Sequence, residues 1–136
     1  MKEEDVRMEW TSVLVAAAGA YAFGAIWYGI NGKAWMAAAG IEPGPEGTPE
    51  GGMTPYAISA IGTILAAGMM LHMFTLSGID TLPEGALSGF GLGAFIAAPW
   101  IITNYSYASR PRALMVIDGG YAIIGCTIIG AILTLF

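Results

Sequence analysis

The sequence predicts an all-α integral membrane protein, four transmembrane helices arranged as two related helical hairpins, and three observations lead there. The first is composition: of 136 residues, 56% are hydrophobic and only 11% are charged, whereas a soluble domain is roughly a quarter charged. The second is segmentation. Apolar stretches cover about 11–30, 55–76, 86–103 and 113–136, each near the ~20 residues that cross ~30 Å of hydrocarbon as a helix. They are continuously apolar, without the period-two alternation of a barrel strand. The third is an internal echo. Ala16, Ala20, Gly24, Trp27 and Asn31 recur at identical spacings as Gly89, Gly93, Ala97, Trp100 and Asn104, and a helix places either set on one stripe. Asn31 and Asn104 are the only asparagines in the chain, so the paired Trp and Asn point to a duplicated helix.

The first span opens after a charged lead-in, MKEEDVRMEW, which is acidic where a secretory signal would be positive, so the span is read as retained. Trp10 suits the interface. The middle of this span, VAAAGAYAFGAIWYG, is nearly free of bulky aliphatics. Alanine and glycine let another backbone come close, so the Ala16, Ala20, Gly24 face is expected to pack on protein, either within the bundle or against another polypeptide. GKAWMAAAGI, with Lys33 and Trp35, then reads as a short half-buried segment along the headgroup layer. The stretch 42–54 is acidic and rich in Pro and Gly, which predicts a solvent loop.

The second span holds the only histidine, His72, beside Met69, Met70 and Met73. A haem or chlorophyll ligand is one reading of it; an imidazole reaching headgroups or a helix carbonyl is the other. Before the third span, Asp80 or Thr81 can cap the helix, with Pro83 in its first turn and Glu84 near the positive helix end. Pro99 predicts a kink, because its ring frees a carbonyl one turn back. The link to the fourth span carries Tyr105, Tyr107, Arg110 and Arg112, and Asp118 follows inside the span. A carboxylate at that depth is costly without a cation, so Arg110, Arg112 or Lys33 is the expected partner. The fourth span sets Gly119, Ala122, Cys126 and Gly130 on one face.

Three blocks, FGAIWYGINGKAWM, NYSYASRP and IDGGY, resemble the small bacterial four-span membrane proteins catalogued as domain of unknown function number seventeen sixty-one. The likeness extends from about Glu9 to Phe136 and implies a four-helix protein of a prokaryotic inner membrane. It implies no activity.

Several jobs are excluded or disfavoured. The formal net charge of -5 leaves no basic surface for nucleic acid. One Cys, one His and one intramembrane Asp form no nucleophile, base or metal set at ligand spacing, so neither an enzyme nor a bound cofactor is expected. The leading expectation is a non-catalytic accessory or assembly subunit. It would sit in lipid and pack against itself or a larger membrane complex of the respiratory or light-harvesting kind. The alternatives are a small-solute or ion transporter using Asp118 near Arg110 and Arg112, and a haem- or chlorophyll-binding subunit through His72. Positive residues outnumber those on the terminal side by three to two at the loops after spans one and three, placing both termini away from the cytoplasm.

Overall fold

The computed structural model describes residues 2–47, 49 and 51–136, so Thr48 and Glu50 of the acidic loop lie outside the described residues. Its elements are α1 (Glu3–Ala39), α2 (Thr54–Ser77), α3 (Leu82–Leu92), a π-helical turn (Gly93–Ala97), α4 (Ala98–Tyr107) and α5 (Arg112–Leu133). Among the described residues, four helices are long and apolar enough to cross a membrane, the third running Leu82–Tyr107 through the π turn.

Helix α1 departs from the expected pattern. It runs unbroken for 37 residues, about 55 Å at the usual rise, and absorbs the segment expected to lie along the headgroups. Gly29 and Gly32 do not stop it, because an interior glycine costs only ~1 kcal/mol and tertiary contacts hold the last turns: Met36 is buried and Trp35 is hydrogen-bonded to α5. Glu3, Glu4 and Asp5 occupy its first turn, where acids complement the helix dipole. It ends where Gly40 adopts the left-handed conformation, φ 72°.

Helix α5 is the hub and packs against every other helix. The α1, α2 and α5 surfaces enclose a core of Val13, Ala16, Ala17, Ala20, Ala67, Met70, Phe74, Ile129 and Leu133. The α3–α5 crossing is closer still. A Cβ added at Gly85 would stand 2.4 Å from the Gly130 carbonyl oxygen, and one added at Gly130 would stand 2.1 Å from that of Gly85. Only glycine permits backbones to meet at that separation.

The third long helix departs from regular α geometry just before Pro99, at the π turn Gly93–Ala97. The Ala98 N–H reaches back to the Gly93 carbonyl, five residues instead of four, and this wider turn makes room for the proline ring in the turn it would otherwise crowd. The extra residue resets the inward face. Gly85, Gly89 and Gly93 are followed on the buried side by Ala98, not Ala97.

Candidate functional site

Asp118 lies in the second turn of α5, half-buried, and three side-chain donors converge on it. The Tyr28 hydroxyl donates to Oδ1 and the Tyr105 hydroxyl to Oδ2. The Trp35 indole Nε1–H is shared between the two oxygens, at 3.1 and 3.2 Å. Tyr28 and Trp35 are seven residues apart on α1, two turns along one face, so the uninterrupted helix is what brings both to the carboxylate. Tyr105 arrives from the last turn of α4 through a tight connection. There Ser109 takes a left-handed φ of 56°, and the Arg110 N–H donates to the Tyr105 carbonyl at 2.9 Å.

The rings around the site pack on one another. Tyr28 meets Trp35 and Tyr121 edge to face, with centroids 6.5 and 5.4 Å apart, and Phe23 stacks on Tyr121. Such edge-to-face pairs add about 0.5–1.5 kcal/mol beyond their buried area. They also hold the Tyr28 ring in the orientation that aims its hydroxyl at Asp118.

These contacts correct the expected charge pair. Asp118 turns to neutral donors, and the Arg110 guanidinium instead donates to the Ala39 carbonyl. The reason is the end of α1: its last carbonyls have no partner within the helix and carry the negative end of its dipole, so a neighbouring cation settles there. Arg112 lines a separate groove with Ile102, Ser106, Met115 and Val116.

The two echoed stripes have different surroundings. On α1, Ala16 and Ala20 are buried, and a Cβ on Gly24 would come within 2.9 Å of the Tyr121 ring. Trp27 donates its Nε1–H to the Ile117 carbonyl of α5 at 2.9 Å, and the Asn31 amide returns to its own helix at the Trp27 carbonyl. On the third long helix Gly89 and Gly93 are buried and Ala97 is half-buried, but Trp100 is 68% exposed and Asn104 is also exposed. The π turn rotates everything after it by one residue, so Trp100 and Asn104 leave the stripe and Tyr105 takes the inward position. Accordingly, Trp27→Phe should cost about 1 kcal/mol through the lost hydrogen bond. Trp100→Phe should stay within about 0.5 kcal/mol. Thermal unfolding of the two variants in one detergent compares them directly, and equal losses would contradict the assigned asymmetry.

His72 lies on the exposed side of α2 with Met69 and Met73. Cys126 is half-buried, and no group of three His, Cys, Asp or Glu able to hold a metal occurs among the described residues. Sequence reasoning had Asp118 but missed Tyr28, Trp35 and Tyr105 as its partners. A usable signal was present: FGAIWYGINGKAWM contains Tyr28 and Trp35, NYSYASRP contains Tyr105, and IDGGY contains Asp118 and Tyr121. The three blocks that carry the resemblance meet at one carboxylate.

No curated protein and no solved structure matches the chain. A family described as protein of unknown function (DUF1761) matches residues 11–134, a stretch that takes in all three blocks and reaches from the start of the first apolar segment almost to the C-terminus. The chain belongs to the DUF1761 family.

Proposed function

We propose that this is a non-catalytic, multi-pass subunit of a prokaryotic inner membrane that packs against other transmembrane helices, its own copies or those of a larger complex. The observation that carries the reading is how the helix faces are spent. The small-residue faces of α1, α3 and α5 that touch one another are used up inside the bundle, and both oxygens of Asp118 already accept from donors of its own chain. Helix α2 is held far less. Only Ala67, Met70 and Phe74 of it are buried, while Ile58, Ile61, Leu65, Met69 and Leu76 are exposed. Between α1 and α2 runs an open groove of about 300 Å³ with an alanine floor, Ala17, Ala18, Ala22 and Ala60, and walls that include Leu14 and Ile64. A small-residue floor between larger side chains admits a further helix at close range.

The test is gentle extraction followed by separation by size. The protein should migrate with a partner, and Ala22→Trp should release it while leaving the unfolding temperature of the isolated chain unchanged, because Ala22 is exposed. A lone monomer whose migration Ala22→Trp leaves unaltered would remove the subunit reading.

A second reading, a small-solute or ion transporter, draws on Asp118 itself: a carboxylate surrounded by neutral donors remains a site for a proton or small cation. The duplicated stripes lend it the two-repeat organisation seen in many transporters. Any haem or chlorophyll held by His72 would sit on the outer face of α2 and take its remaining contacts from a neighbour.

A further inference from the structure

We infer that the groove between α4 and the start of α5 binds one anionic glycerophospholipid, Arg112 and Ser106 taking the headgroup phosphate and Ile102, Met115 and Val116 taking the top of an acyl chain. The inference rests on the membrane reading above and adds a specific lipid site to it. The groove, about 410 Å³ and open to the side, is lined by those five residues. Their order along the helices gives it a polarity. Ser106 lies one turn beyond Ile102 towards the end of α4, and Arg112 is the first residue of α5, one turn before Val116. One turn is ~5.4 Å, so the polar pair stands beside the α4–α5 connection and the apolar residues about one turn farther from it along each helix. A phospholipid has the same sequence of chemistry, phosphate above and hydrocarbon below.

Charge supports the anionic class. Asp118, the acid nearest to Arg112 in sequence, has both oxygens engaged by Tyr28, Trp35 and Tyr105. The neighbouring cation, Arg110, is bound to the neutral Ala39 carbonyl. Two guanidinium groups therefore flank Pro111 without drawing on that carboxylate. Val116, at 71% exposure, and Ile102, at 43%, offer their apolar surface outward, and Tyr107 stands at the same end of the span as an interfacial aromatic. A guanidinium presents paired donors that match a phosphate.

The experiment is native mass spectrometry of the protein extracted from membranes in mild detergent, titrated with phosphatidylglycerol or phosphatidylcholine. The expected result is one retained phosphatidylglycerol, held in preference to phosphatidylcholine. Arg112→Gln should reduce that retention about fivefold, the value of one basic residue facing an anionic surface. Val116→Trp, which fills the groove without altering charge, should also reduce it, whereas Arg7→Gln, at the other end of α1, should not. Equal retention of the two lipids, or retention that neither Arg112→Gln nor Val116→Trp weakens, would overturn the assignment. A protein released from membranes by alkaline carbonate without detergent would overturn the membrane reading itself, a result distinguishable from loss of the lipid site alone.

Discussion

Gly89→Ala should lower the thermal unfolding midpoint sharply, while Gly91→Ala, two residues along the same helix, should leave it unchanged or raise it. A Cβ on Gly89 would stand 2.2 Å from the Cys126 carbonyl oxygen and 3.1 Å from the Thr127 Cα, whereas one on Gly91 meets nothing within 4 Å. The obstacle at Gly89 is backbone, which cannot rotate aside, so α3 and α5 must separate. Overpacking of this kind typically costs ~1–3 kcal/mol, more than the ~1 kcal/mol that alanine gains over glycine in a helix interior. At Gly91 the helix gain stands alone. Gly93 gives an independent check from the π turn, since its Cβ would stand 2.6 Å from the Ile123 Cα. Should Gly89→Ala and Gly91→Ala melt alike, the α3–α5 crossing described above is not the packing of the folded protein.

The second large effect is expected at Asp118. Asp118→Ala strips the acceptor from Tyr28, Trp35 and Tyr105 together, leaving part-buried donors without a partner. Each such group costs about 1–3 kcal/mol, and hydrogen bonds to a charged acceptor are worth about 1.5–3, so a loss of roughly 3 kcal/mol or more is expected in denaturant or thermal unfolding. Tyr28→Phe and Tyr105→Phe should each cost less, because one bond goes and the carboxylate keeps its other donors. Asp118→Asn should fall between: its amide oxygen still accepts, while its NH2 faces a hydroxyl that must turn to accept instead. A double-mutant cycle between Tyr28→Phe and Asp118→Asn isolates the coupling, which for residues in one network is about 0.5–3 kcal/mol; a value near zero would mean that the cluster is not a unit. The same Asp118→Asn variant separates the two functional readings. A clasp that only joins α1, α4 and α5 loses stability and nothing else, whereas a transporter loses substrate-dependent proton movement in vesicles even where the fold survives.

The sequence alone was enough for the four long apolar helices, the approximate limits of all but α1, the choice of Asp118 as a residue to explain, and the family. Each follows from sums or motifs along a short stretch of chain: hydropathy over ~20 residues, helix caps, a run of Pro and Gly. Tertiary structure decided the rest, because it depends on the rotation of one helix against another. The spacing that puts Gly89, Gly93, Ala97, Trp100 and Asn104 on one stripe assumes an uninterrupted α-helix, and a single π turn before Pro99 swings the last two outward and brings Tyr105 in. The partner of Asp118 turned on similar competition. Charge favoured Arg110, but the unpaired carbonyl at the end of α1 drew the guanidinium away, and three neutral donors from two other helices filled the carboxylate. Hydropathy is additive along a chain, whereas a hydrogen bond between distant residues exists only once the angular registers of both helices are set, and those registers are a property of the whole bundle.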